Sequence, residues 1–214
     1  MSRADFVIVG AGGFGRETID TYLAARAVGT TSLNLLGVID DSPSPIAEDL
    51  LTRMGVAHLG TAEEFFERVR EVQAIIAIGD PAARAGIARR WRGRMTPAEP
   101  LVHPTAVVGT LTRLGRGSVV CAGAIVSTNV LLGVSVHLNP GTVIGHDAVL
   151  DDFVSVNPGA VVSGAVRVRR ESLVGAGSCV LQGLTVGANA TVGASACVTK
   201  DVEPGRTVKG VPAR

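Results

Sequence analysis

Residues 137–168 read HLNPGTVIGHDAVLDDFVSVNPGAVVSGAVRV, and an aliphatic residue returns at every sixth position. Extended both ways from Leu138, the step visits Val102, Val108, Leu114, Val120, Val126, Leu132, Leu138, Ile144, Leu150, Val156, Val162, Val168, Val174, Val180, Val186, Val192 and Val198. All 17 are Val, Leu or Ile, in a chain where 59 of 214 residues are of those types, so chance agreement is about one in a billion. Four residues after each lies a second column, small or β-branched almost throughout, that includes Ala106, Ala124, Val130, Thr142, Ala148, Ala160 and Ala196. Glycine is frequent one residue after the aliphatic position, at Gly109, Gly115, Gly133, Gly145, Gly175, Gly187 and Gly193.

A period of six belongs neither to an α-helix nor to an ordinary two-residue strand repeat. It predicts a short strand and a corner, repeated around a solenoid. The aliphatic residue fills the interior, the small one packs beside it near the corner, and the glycines are expected to supply backbone angles closed to side chains. A slower period of 18 lies on top: Gly123, Gly141, Gly159 and Gly177 form one series, and Asn139–Pro140 returns as Asn157–Pro158. Three hexads per coil means three faces, with residues 18 apart stacked in columns, and residues 102–198 make about five coils. Such a stack buries a core only between neighbours, so its ends need caps. Aromatic residues at 3% and 27 glycines agree with a narrow aliphatic interior.

Composition excludes several classes. A net charge of +1 gives no electrostatic case for binding nucleic acid or an anionic membrane. Cys121, Cys179 and Cys197 are too few for a disulfide framework and lack metal-ligand spacing, so reduced thiols and no metal are expected. No uncharged apolar run reaches the roughly 18 residues of a membrane span, and the apolar start in MSRADFVIVGAGG ends in a glycine turn. A cytoplasmic, soluble protein is expected.

The first hundred residues follow another rule. The run DFVIV enters Gly10-Ala11-Gly12-Gly13-Phe14-Gly15, and a helical pattern follows with Ile19, Leu23 and Ala27 on one face. This is strand, glycine turn, helix, with G-x-G-x-x-G spacing. A second strand ends at Asp40 and Asp41, and a third, AIIAIGD, ends at Asp80 and leads into a helix with Pro81 near its start. Alternating strands and helices predict a parallel α/β sheet of about half the size of a full dinucleotide fold. Such a domain binds one nucleotide, with phosphate facing the N–H groups of the first helix. A nucleotide-sugar site is the favoured reading, with a purely structural glycine turn and NAD(P) binding as alternatives. The expected organisation is an α/β half-Rossmann domain over 1–100, an all-β parallel β-helix over 101–202, and a tail over 203–214, with Pro97 and Pro100 at the junction.

Among the histidines, His58 is expected on the surface, His103 in a structural role at the junction, and His137 in a hexad. His146 is followed by Asp147, which can hold the imidazole in one tautomer. Attack of an amine or hydroxyl on a thioester needs a base near neutral pKa and donors for the oxyanion. His146 fits the first need, and the N–H of Gly164, one coil further on, the second.

The order VGAGGFG, GVIDD, IAIGD, PLVHPTA, N-x6-HD and KGVPAR covers nearly the whole chain. It resembles the sialic-acid O-acetyltransferase and UDP-N-acetylbacillosamine N-acetyltransferase family of hexapeptide-repeat acyltransferases. The resemblance implies a left-handed β-helix, a homotrimer with sites between subunits, acetyl-CoA as co-substrate, and a nucleotide-sugar acceptor. It implies His146 as base and Asp147 as its orienting acid, with Asn139 lining the pocket. Gly10, Gly12, Gly13, Phe14, Gly15, Arg16, Asp40, Asp41 and Asp80 would frame the nucleotide-sugar. Gly164 and Ala194 would offer N–H groups to acetyl-CoA, and Lys209 and Arg214 would meet its phosphates. Many relatives carry His where this chain has Phe14, Lys where it has Arg16, and a second His where it has Ser155.

The leading expectation is acetyl transfer to an amino group of a nucleotide-linked sugar. A sugar hydroxyl, as in sialic acid, is the close alternative, since the same base serves both. A non-catalytic nucleotide-sugar scaffold is an alternative of another class. A zinc enzyme like γ-carbonic anhydrase needs three converging histidines, and only His137 and His146 lie well inside the helix, half a coil apart.

Overall fold

The computed structural model describes residues 4–214. The N-terminal unit runs β1 (Ala4–Val9), α1 (Gly13–Ala27), β2 (Leu33–Ile39), α2 (Pro45–Arg53), α3 (Ala62–Arg68), β3 (Val72–Ile76), α4 (Pro81–Arg90) and β4 (Met95–Pro97). The strands pair in parallel in the order β2-β1-β3-β4. Chain order therefore reverses between β1 and β3, and the crevice beyond their carboxyl ends is where open α/β sheets bind ligands. Three helices start on side-chain caps: Ser44 accepts from Ala47, Thr61 forms a capping box with Glu64, and Asp80 accepts from Ala83. Only α1 starts on a glycine, Gly12, with no side-chain cap. Pro97 ends β4 at the sheet edge, where no N–H is required of it. The sequence did not separate α2, α3 or β4, all of which are short. No helix among the described residues is long and apolar enough to cross a membrane.

From Leu101 onward, two-residue strands wind into a triangular, left-handed β-helix. The first face stacks seven parallel strands, from Leu101–Val102 through His137–Leu138 to Thr207–Val208. The second face stacks six, from Val107–Val108 to Cys197–Val198. The third stacks four, from Leu131–Leu132 to Thr185–Val186, and single bridges at Arg113 and Val202 extend it. Partners such as His137, Ser155 and Leu173 are 18 residues apart. The last strand, Thr207–Val208, lies in the stretch expected to be a tail and closes the top of the first face.

Both predicted columns point inward. Ile144, Val156 and Val162 of the aliphatic column, and Ala148, Ala160 and Val166 of the small column, have no exposed surface. The glycines serve a different purpose from the expected one. Those after the aliphatic residue have no unusual φ; a Cβ on Gly115 would lie 2.0 Å from the carbonyl oxygen of Gly133, and one on Gly145 would lie 2.4 Å from the nitrogen of Gly164. They allow neighbouring coils to touch. The left-handed backbone sits two residues later, at the corners, where Gly141, Asn129, Asp147, Phe153 and Ala165 all have φ between 56° and 69°. That turn aims each corner N–H at the coil before: Asn129 donates to Thr110, Asp147 to Thr128, and Ala165 to the carbonyl of His146. The hydrogen bonds offset the roughly 1–2 kcal/mol that a non-glycine residue costs there.

The two units share a core. Phe6, Ile8, Ile19 and Tyr22 pack together with Leu101, Val119 and Cys121 of the first face. Arg84 of α4, fully buried, ties them further. Its guanidinium donates to the carbonyls of Ser135 (3.1 Å), Ile78 (2.5 Å) and Phe153 (2.8 Å), and to Ser155 Oγ (2.9 Å). Burial lowers its pKa to about 9, so it stays charged at neutral pH.

Candidate active site

Two sets of candidate residues emerge, on different parts of the molecule. The first is the crevice at the end of β1 and β3, about 270 Å³, lined by Gly10, Asp40, Asp41, Ser42, Arg90 and Trp91 among others. Gly10 has φ +110°, and Gly15 must lack a side chain because a Cβ would fall 1.9 Å from the Gly10 carbonyl oxygen. A Cβ added at Gly12 or Gly13 would meet nothing within 4 Å, so the uncapped start of α1 faces open space. Asp40 shapes this loop, accepting from the N–H of Ala11 at 2.7 Å and of Ser42 at 2.9 Å. Arg16 reaches back to the Ala11 carbonyl at 2.9 Å. Asp41 accepts from Ala62 at the start of α3, and Asp80 from Ala83 in α4, so each is committed to a helix end.

Phe14 turns away from the crevice and lies against His137, ring centroids 4.4 Å apart. His137 is buried and neither of its nitrogens has a hydrogen-bond partner. Burial, with Arg84 nearby, holds its pKa well below 6.5, against a weaker pull from the Ile76 backbone, so the ring is neutral. Asn139 is also buried and donates to the Val156 carbonyl at 2.9 Å. His58 departs from expectation: it is half-buried, its Nε2 3.1 Å from the Asp40 carbonyl, because the end of β2 folds over it. His103 pairs with Thr105 at 2.8 Å, consistent with a structural role at the junction.

The second set sits at the corner between the second and third faces. His146 Nδ1 lies 2.6 Å from Asp147 Oδ2, and both side chains are half-exposed or more, at 64% and 50%. The other oxygen, Oδ1, accepts from Asn129 Nδ2 at 2.7 Å. These contacts, Asn129 first and His146 second, hold the Asp147 carboxyl below the usual carboxylate range. With Nδ1 bound to a carboxylate, Nε2 carries the free lone pair. The ring lies over Gly164: a Cβ there would come within 2.6 Å of Nε2. The Gly164 N–H is not taken by any backbone carbonyl among the described residues, and neither is that of Ala194. A base with an oriented proton partner and an unused N–H beside it can accept a proton while a developing oxyanion is stabilised.

Ala194 does not join this corner. It lies between the first and second faces, and Lys209 stacks over Gly193 beside it. The tail there closes on itself through paired backbone hydrogen bonds between Lys209 and Arg214. The expected acetyl-CoA residues thus flank the second face on its two edges. That face carries an outward column of Val107, Ile125, Val143, Val161, Cys179 and Cys197. Sequence reading missed Arg84, Arg90, Trp91 and Asn129. Asn129 had a signal, lying one 18-residue coil before Asp147.

Residues 5–91 match the family model of the PglD N-terminal domain. No curated protein matches the sequence. Among solved structures, the chain is similar to the acetyltransferase domain of PglB from Neisseria gonorrhoeae in complex with acetyl coenzyme A, with 29% identity over 99% of this chain and 98% of that one and a TM-score of 0.82. It is also similar to a perosamine N-acetyltransferase from Caulobacter crescentus, a histidine-to-asparagine variant in complex with CoA and GDP-perosamine, with 28% identity over 99% and 96% of the two chains and a TM-score of 0.83. It shares the fold of WeeI from Acinetobacter baumannii, at 23% identity over 99% of each chain and a TM-score of 0.80. The chain thus joins a PglD N-terminal domain, over residues 5–91, to a six-residue-repeat β-helix, and nearly its whole length is similar to the PglB acetyltransferase domain and to the perosamine N-acetyltransferase.

Proposed function

We propose that this protein transfers the acetyl group of acetyl-CoA to an amino group of a nucleotide-linked sugar. The observation that carries the reading is the His146–Asp147 pair, held 2.6 Å apart over Gly164 and open to solvent. In this mechanism Nε2 of His146 accepts the proton of the amine as its nitrogen attacks the thioester carbonyl. The Gly164 N–H donates to the oxyanion, and collapse of the tetrahedral intermediate releases the CoA thiolate, which takes up a proton. Asp147 keeps Nδ1 protonated and stabilises the imidazolium. The nucleotide-sugar lies in the crevice of Gly10, Asp40 and Asp41, its phosphates facing the uncapped start of α1. Similarity to structures holding GDP-perosamine or acetyl coenzyme A supports both ligand assignments.

The active form in this reading is a cytoplasmic homotrimer. The α/β unit packs on the first face, whereas His146 occupies the vertex opposite that face. An acceptor held by one subunit therefore meets the base of a neighbour. The apolar column on the second face suits the contact, and an interface there brings the Gly164 edge of one subunit beside the Ala194 and Lys209 edge of the next. The test is thiol release from acetyl-CoA with a panel of UDP-, GDP- and dTDP-linked amino sugars, and identification of the product as amide or ester. An amide product from one amino sugar is expected. An ester product, or turnover only with a free sugar, would replace the amine by a hydroxyl acceptor.

A further inference from the structure

The base pair at the corner has a third member one coil down. Asn129 and Asp147 occupy the same position on successive coils, 18 residues apart, with φ of 57° and 61°. Stacked coils are about 4.8 Å apart, close enough for an amide on one to reach a carboxylate on the next. The contact is made: Asn129 Nδ2 donates to Asp147 Oδ1 at 2.7 Å, while Oδ2 faces His146 Nδ1 at 2.6 Å. The two bonds load opposite oxygens and so fix the plane of a carboxylate that is half in solvent. Packing gives no reason for an asparagine here, since its side chain is exposed. The corner hydrogen bond to Thr110 uses the Asn129 backbone N–H. The same column holds Leu111 below and Ala165 and Gly183 above, all in the left-handed conformation. Asn129 alone in that column carries a side-chain donor.

We propose that Asn129 is a positioning residue for acetyl transfer: it clamps Oδ1 of Asp147 so that Oδ2 holds His146 Nδ1–H and Nε2 is kept as the base. The role rests on the reading of His146 as the base. The amide also favours the ionised carboxylate, as the depressed pKa of Asp147 requires.

Asn129→Gly is the suitable variant, because Gly183 occupies the same corner two coils above Asp147. Its kcat is expected to fall about tenfold, the scale of losing an orienting partner beyond the reacting groups, with KM for both substrates and Tm unchanged. The side-chain nitrogen NMR signals of His146 should change from a single Nδ1–H tautomer to a mixture. Asn129→Asp keeps the shape but sets one carboxylate against another, so it should be slower than Asn129→Gly; a merely steric role predicts the opposite order. Wild-type kcat and tautomer in Asn129→Gly, with His146→Ala inactive, would overturn the positioning role and leave the base intact. Full activity in His146→Ala would remove the base and the positioning role with it.

Discussion

At the scale of single residues, the site depends on what is missing as much as on what is present. Gly164 has ordinary backbone angles, so alanine would be accepted there by the backbone. The added methyl would meet His146 Nε2 at 2.6 Å and Cε1 at 2.8 Å. Gly164→Ala should therefore displace the imidazole rather than unfold the coil, and lower kcat by roughly tenfold or more with little change in Tm. Steady-state kinetics beside thermal unfolding checks this; an unchanged kcat would mean that the ring works from another rotamer. His137 yields a prediction about stability. Its folded pKa lies well below 6.5, while the unfolded chain titrates near 6.5. Below that pH the unfolded state binds a proton that the folded state does not, so stability falls as pH drops, by at most about 1.4 kcal/mol per pH unit. Above it the contribution is flat. Denaturation of His137→Leu and wild type at pH 8, 6 and 5 should show the variant gaining relative to wild type only at the acid end.

At the scale of elements, the hexad was legible because every coil repeats one physical demand: an aliphatic residue inside, a small one beside it, a corner. That demand placed strands correctly at every hexad from Val119–Val120 to Cys197–Val198. The role of the glycines was not legible because a sequence shows where side chains are absent but not why; contact between coils and left-handed angles leave the same letter. The corners were hidden because Asn129, Asp147, Phe153 and Glu171 adopt positive φ beside the glycines. His146–Asp147 was legible as adjacent residues. Arg84 was not, since its partners Ser135, Phe153 and Ser155 lie 51 to 71 positions away. Arg84→Met would leave several buried carbonyls without a donor. A loss on the order of 3 kcal/mol is expected, or roughly ten degrees in Tm for a chain of this size. Arg84→Lys, with one point of contact, should recover only part of it.

At the scale of the whole molecule, the proposed site requires neighbours. Half-exposed Ile125 and Val107, at 45% and 59%, belong to an apolar column that a lone chain would leave in water. Ile125→Asp, which keeps the inward residues untouched, should convert the proposed trimer to monomers in sedimentation and abolish transfer, because the proposed acceptor crevice and base then sit on opposite sides of one chain. Active monomers would contradict the arrangement. The central claim is that His146 is the base for transfer from acetyl-CoA to a nucleotide-linked amino sugar. It is tested most directly by the rate of labelled acetyl transfer in wild type and His146→Ala under the same conditions. A loss of roughly a hundredfold or more in the variant, with CoA binding intact, is the predicted result. Equal rates in the two proteins would contradict it.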